Sequence, residues 1–397
     1  MAKLRAGRFA LALILSAALG ACSTLKRLDA PPMALAGSVS PDGFAPGIRF
    51  SPFDANALAA RFSPRANTGC VSVLALSGGG SGGAFGAGAL AGWTSTGARP
   101  RFDIVTGVST GALAAPFAFA GPSWDHQLRD SFTGGWSDDL LRPSGASALF
   151  GSSVFQGKPL RTLIDRFITP ALLDAVAAES RTGRVLLVAT TNLDTEQPVI
   201  WDMGAIAQTG GERGLTLFRN VLAASASAPG VFPPVMMRVE ANGQAYDEMH
   251  VDGGVTTPFF VAPFVDASAQ LREPRRGCAD VYVVVNAGLA DPAATTRRST
   301  VDVAGRSLNT LMSQTVRSEL LRIDALARLY GANFRFTLVP TAFGIPGSAN
   351  FNQADMVRLF DYAETCAAAN NLWLTQVSEP NAISTNGDQA ACPAPAR

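Results

Sequence analysis

Three short apolar runs in this chain end in glycine-rich turns, and these turns restrict the fold more than any other feature. Residues 71–76 run into Ser77-Gly78-Gly79-Gly80-Ser81-Gly82-Gly83. Ile104 and Val105 lead into Gly107-Val108-Ser109-Thr110-Gly111, and Val251 leads into Asp252-Gly253-Gly254. Further strand-like runs lie at 185–189, 281–285 and 334–339. Helical patterns fall at 84–94, 112–120, 159–168, 172–178, 217–224, 303–329 and 353–369. Apolar strands alternating with helices predict an α/β fold with a mostly parallel central sheet flanked by helices. Sites in such sheets form at the carboxyl ends of strands, where all three turns fall.

Each turn has its own chemistry. Gly107-x-Ser109-x-Gly111, placed after a strand and before a helix, has the context of a nucleophile elbow. Gly107 and Gly111 remove side chains from a sharp turn, and the helix dipole favours negative charge on the Ser109 oxygen. The plainer alternative is a turn whose serine caps a helix. The glycine run leaves the amides of Gly78, Gly79, Gly80 and Ser81 unshielded, an anion-binding nest suited to an oxyanion. The same run also fits a dinucleotide fingerprint, Gly78-x-Gly80-x-x-Gly83, but no acidic residue ends the second strand; Asp103 lies at its start. The absence of G-K-[ST] excludes a P-loop. Asp252, followed by two glycines, can approach another strand end closely; an ordinary Asp-Gly turn is the alternative.

With 47% hydrophobic residues among 397, the chain can bury one large core. Charged residues make up 16%, the net charge is +1, and there is no basic block, so a nucleic-acid partner is not expected. Ligand types do not cluster, so neither a metal nor another cofactor is implied. The amino terminus reads as a targeting signal: Lys3, Arg5 and Arg8 precede an apolar run over residues 9–19, too short to span a bilayer comfortably. It ends in Leu19-Gly20-Ala21-Cys22, which resembles the lipobox of bacterial lipoproteins, with Cys22 as the lipidated residue and membrane anchor. Ser23 after it favours the outer membrane of the cell envelope over the inner. Residues 1–21 are then a signal peptide, 22–68 a proline-rich tether, 69–290 the core, and 291–397 an α/β extension packing on it. Export makes disulfides plausible among the other four cysteines, with Cys70–Cys278 and Cys366–Cys392 the expected pairs of three possible pairings.

Taken together, the glycine loop, G-x-S-x-G some thirty residues on and the distant D-G-G resemble the patatin-like phospholipase family. A fourth block, Ala224-Ser-Ala-Ser-Ala-Pro-Gly-Val-Phe-Pro-Pro234, matches another family signature. The resemblance covers roughly residues 70–290. It implies a Ser–Asp dyad: Ser109 attacks an ester of a membrane lipid, Asp252 takes and returns the proton, and amides within 78–81 hold the oxyanion. The chain departs from the family at Ser77, usually Asp, and at Gly82, usually Arg. A non-catalytic lipoprotein using the same fold to bind lipid or envelope partners is the second reading.

Only two histidines are present. No histidine follows Asp252, so the α/β-hydrolase order is unavailable. A triad of Ser109, Asp202 and His250 remains formally open. His250 also shares a strand face with Asp252. It either orients that carboxylate or is an ordinary strand residue.

Overall fold

Runs rich in valine, leucine and isoleucine form the middle of a ten-stranded sheet. The computed structural model describes residues 27–52, 70–137, 152–261, 279–289, 295–340 and 350–377, with a few positions between them. In chain order the strands are β1 (Ser40–Pro41), β2 (Arg49–Phe50), β3 (Val71–Leu76), β4 (Ile104–Gly107), β5 (Val185–Asn192), β6 (Gln197–Asp202), β7 (Val235–Ala241), β8 (Gln244–Asp252), β9 (Ala279–Val285) and β10 (Asn333–Leu338). The α-helices are α1 (Gly83–Ser95), α2 (Thr110–Ala120), α3 (Asp125–Thr133), α4 (Gly157–Phe167), α5 (Pro170–Arg181), α6 (Met203–Thr209), α7 (Gly211–Ser225), α8 (Thr300–Tyr330) and α9 (Gln353–Ala368).

The centre of the sheet is parallel, in the order β5-β4-β3-β9-β10. These strands bury both faces, which is why they read as continuous apolar runs. Alternate residues of β3 serve two cores. Leu74 and Leu76 join Phe85, Phe117, Phe218 and Phe360 from the helices on one face. Val73 and Ala75 pack with Val316, Leu320 and Ile323 of α8 on the other. Small residues let α9 lie close on α1: a Cβ on Gly88 or Gly92 would stand 2.1 Å from the carbonyl oxygens of Phe360 and Glu364. α9 thus packs on α1, and β10 continues the sheet.

Antiparallel strands complete the sheet beyond β5, and the sequence reading missed β6 and β7. On one edge of β5 lies β6, which carries β2. The opposite edge is shared. Val185 to Val188 pair with β4 in parallel, and Thr190 to Asn192 pair with β8 in antiparallel. The strands β4 and β8 therefore run toward each other along one edge of β5. Gly107 ends opposite Val188, and Asp252 ends opposite Thr190. The sequence left the direction of the Asp252 strand open; running antiparallel to β5, it brings Asp252 to the end of β4 head-on.

The expected tether over residues 22–68 is corrected where it is described. β1 pairs with β7, β2 with β6, and Arg27 forms an ion pair with Asp194 at 2.5 Å. Proline bars a central strand but not a two-residue edge strand, where its missing N–H faces outward. The signal segment and Cys22 lie outside the described residues, as do Cys278 and Cys392. Cys366 is disulfide-bonded, and Cys70 is exposed just before β3.

Candidate active site

Ser109 occupies a strained elbow between β4 and α2. Its φ of 55° and ψ of −126° are unfavourable for a residue with a side chain. The turn holds because its neighbours are small. A Cβ on Gly111 would lie 2.3 Å from the Leu76 carbonyl, and one on Gly107 would lie 2.7 Å from Ala112 Cα. The Val108 amide donates to the Leu76 carbonyl at 3.1 Å, tying the elbow to β3. The Ser109 amide donates to the Ser225 hydroxyl at 3.0 Å, and that hydroxyl donates to the Ala189 carbonyl at 2.7 Å.

Asp252 is 3% exposed, and the Ser109 hydroxyl lies near enough to favour its ionised form. Its Oδ1 also accepts from the Gly254 amide at 2.7 Å, and its own amide donates to the Ser227 carbonyl at 3.0 Å. Burial pushes its pKa up to about 6, with the Ser109 hydroxyl and the Gly254 amide opposing the rise. A carboxylate with a pKa near 6 is a competent base at neutral pH, unlike one at the ordinary ~3.9. The segment 224–234, quoted above only as a family signature, thus supports both residues: Ser225 holds the Ser109 amide and Ser227 the Asp252 amide.

The glycine loop wraps around Asn286, the residue after β9, which the sequence reading did not single out. The Asn286 amide donates to the Ser77 hydroxyl at 2.9 Å, and its Nδ2 donates to the Ser77 carbonyl at 2.7 Å. The Ser77 hydroxyl donates to the Gly78 carbonyl at 2.6 Å. A Cβ at Gly79 or Gly82 would stand 1.8 or 2.0 Å from the Asn286 carbonyl oxygen. Both departures from the family pattern gain a physical reason here. Position 82 has no room for an arginine side chain, and a neutral Ser77–Asn286 clasp orders the loop. One expected oxyanion donor is corrected: the Gly78 amide is engaged with the Pro258 carbonyl at 3.2 Å. Among the described residues the Gly79 and Gly80 amides have no partner, and both line the cavity with Ser81.

His250 does not complete a triad. Trp201 Nε1 can only donate, and it donates to Thr190 Oγ1 at 2.8 Å. The Glu248 carboxylate can only accept, so His250 Nε2–H donates to it at 3.1 Å, and in the neutral ring Nδ1 accepts from the Thr190 hydroxyl at 2.9 Å. Burial lowers the His250 pKa against the pull of Glu248 and keeps the ring neutral. Burial raises Glu248, but the bidentate Arg49 and the His250 bond outweigh it and bring its pKa to about 2. Asp202 accepts from Arg61 at 2.8 Å and caps α6 through the Ala205 amide at 2.9 Å. Neither Asp202 nor His250 reaches Ser109. Asp103 bonds Ser72 at the far end of β4, so no acid stands where a dinucleotide ribose would need one.

Ser109, Asp252 and the glycine loop open onto a cavity of about 250 Å³. Its walls are mainly apolar, including Leu113, Phe117, Ile164, Phe232, Met356 and Leu359. Among the described residues no three His, Cys, Asp or Glu side chains are grouped to hold a metal ion, and no helix is long and apolar enough to cross a membrane. A hydroxyl near a dry carboxylate, beside unpartnered amides and an apolar cavity, has the parts that acyl transfer needs.

Residues 74–265 match the model of a family described as Patatin-like phospholipase. Among solved structures the chain is similar to the crystal structure of VipD from Legionella pneumophila. Identity is 13% and the TM-score 0.41, over 76% of this chain and 67% of that one. No curated protein sequence matches the chain.

Proposed function

Because residues 74–265 form a patatin-like phospholipase domain, we propose that this protein is a serine hydrolase that cleaves fatty acyl esters of phospholipids or lysophospholipids. The observation that carries this reading is the Ser109 hydroxyl beside a buried Asp252 at one apolar cavity. Ser109 Oγ attacks the ester carbonyl carbon while its proton passes to Asp252. The carbonyl oxygen becomes negative and is held by the Gly79 and Gly80 amides, with Ser81 beside them. Each such donor lowers the barrier by about 3–4 kcal/mol. The α2 N-terminus adds its dipole at the same place. Collapse of the tetrahedral species breaks the bond to the alcohol oxygen, which leaves with the proton from Asp252. Water, activated by Asp252, then attacks acyl-Ser109 and releases the fatty acid.

A fluorophosphonate tests the reading. The expected result is one phosphonyl adduct by intact mass, on Ser109, absent in Ser109→Ala and much slower in Asp252→Asn. A folded protein that stays unlabelled favours instead a lipid-binding lipoprotein without catalysis, the reading that Ser77 and Gly82 first suggest. The Asn286 clasp weakens that alternative, since it orders the loop without an arginine. A panel of diacyl and lysophospholipids then assigns the substrate. The same reading locates the enzyme at the cell envelope, anchored through lipidated Cys22. Mass spectrometry of the mature amino terminus tests that part.

A further inference from the structure

The body of the protein grips only the carboxyl-terminal half of α8. Val316, Leu320, Ile323 and Ala327 recur at helical spacing and fill the core beneath the sheet. The preceding turns run along the cavity. Asn309, Met312 and Ser313 line it, and a Cβ on Gly254 would lie 3.8 Å from the Met312 methyl. The outer side of these turns is apolar and exposed. Leu308 and Leu311 are 42% and 65% exposed, Met312 40%, and Val255, three residues past Asp252, 46%. Helical geometry places Leu308, Leu311 and Met312 on adjoining positions of one side. An apolar ridge on turns that also line a cavity is a more specific feature than scattered surface leucines. The approach to this helix is basic: between residues 297 and 312 stand Arg297, Arg298 and Arg306 against Asp302 alone.

We propose that this end of α8, with Val255, docks the protein on the surface of an anionic phospholipid bilayer. Leu308, Leu311 and Met312 enter the headgroup boundary while the arginines face the phosphates. The proposal rests on the acyl-hydrolase reading for the cavity's occupant. It adds how an acyl chain reaches Ser109: it leaves the bilayer beside Met312 and enters the cavity without crossing water. Two independent features favour a bilayer over a protein partner. The apolar side is continuous with the cavity that would take the acyl chain, and its flanking charge complements anionic headgroups.

The test uses the full chain carrying Cys22→Ser and Ser109→Ala, so that neither an anchor nor turnover contributes. It is mixed with vesicles of phosphatidylcholine containing phosphatidylglycerol, and bound protein is read by flotation. Leu308→Asp with Leu311→Asp should lower partitioning roughly tenfold or more, with the circular dichroism melting curve unchanged. Arg297→Glu with Arg298→Glu should weaken binding to anionic vesicles and leave the weaker binding to pure phosphatidylcholine as it was. A parent protein that does not float, or a Leu308/Leu311 variant that floats as well as the parent, overturns the proposal. A parent that dimerises through this face, with the variant monomeric by light scattering and still vesicle-bound, overturns it too. Fluorophosphonate labelling of the chain with Ser109 intact reports the hydrolase reading separately, because it needs no membrane.

Discussion

The Ser225 hydroxyl stands between the Ser109 amide and the Ala189 carbonyl, 3.0 Å from one and 2.7 Å from the other. It joins the end of α7 to the elbow and to β5 at once. Ser225→Ala leaves a buried donor and a buried acceptor without partners, each costing about 1–3 kcal/mol. Thermal unfolding should report that loss. Steady-state kinetics on a short p-nitrophenyl ester should show kcat reduced about 10- to 100-fold with KM little changed, because an elbow misplaced by a fraction of an ångström loses reaction geometry before it loses binding. An unchanged kcat would mean that the strained φ of Ser109 is held by its glycines alone.

Asp252 sets the acid limb of activity. The base must be ionised, so kcat/KM should rise with pH and reach half its plateau near the pKa of about 6. The sign for stability is opposite. The folded carboxyl holds its proton more tightly than the unfolded one, whose ordinary value is 3.8. Its contribution is fully present below that value and is lost as pH rises from there through about 6. Ser109→Ala removes a hydroxyl that favours the carboxylate and should move the Asp252 titration upward. Carbon-13 NMR of labelled aspartate measures it, and a downward movement would contradict the assigned partner.

Asn286 has a purely geometric role, to hold the glycine loop in shape. Asn286→Ala removes the Nδ2 bond to the Ser77 carbonyl and keeps the backbone amide bond to the Ser77 hydroxyl; it should lower kcat by up to about 100-fold, the scale of losing one oxyanion donor. Gly82→Ala should be worse, since its Cβ would stand 2.0 Å from the Asn286 carbonyl. Fluorophosphonate labelling rates and melting temperatures of the two variants separate a distorted loop from an unfolded one. Full labelling rates in Asn286→Ala would remove the residue from the account.

The chain from Arg49 through Glu248 and His250 to Thr190 is expected to serve stability. His250→Ala leaves Glu248 and Thr190 each short of a buried partner, and Arg49→Met leaves a buried carboxylate uncompensated, a change worth about 3–5 kcal/mol. Both variants should melt lower, and the kcat of the folded fraction should stay within about threefold of the parent, on the order of 0.7 kcal/mol. A loss in His250→Ala comparable with Ser109→Ala would make the ring part of the chemistry.

The strands that bury both faces were legible as apolar runs, and α1, α2, α4, α5, α8 and α9 lie within a few residues of their expected ends; α7 begins well before residue 217, and α3 and α6 were not expected. Ser109, Asp252 and the glycine run were legible because strain, close approach and exposed amides each demand particular residue types. β6 and β7 were missed. Pro198 interrupts β6, whereas β7 does alternate, with Met237, Val239 and Ala241 buried between exposed Arg238 and Glu240; that strand signal was present but short, and pairing with β8 gives it its place. Asn286 was invisible for a related reason. A single asparagine after a strand has no local signature, and its partner Ser77 lies 209 positions away. Ser225 and Ser227 stood in a segment that matched the family, yet their bonds to Ser109 and Asp252 follow from tertiary contact alone.

Since β4 and β8 both register on β5, the reach from nucleophile to base is measured out by one residue, Ala189, lying between Val188 and Thr190. One residue inserted there would separate Gly107 from Asp252 by about 3.3 Å more and turn the following side chains to the opposite face. The gauge for the proposed dyad is thus an alanine between two strand ends, and drift in its spacing would part Ser109 from Asp252 while both side chains remained.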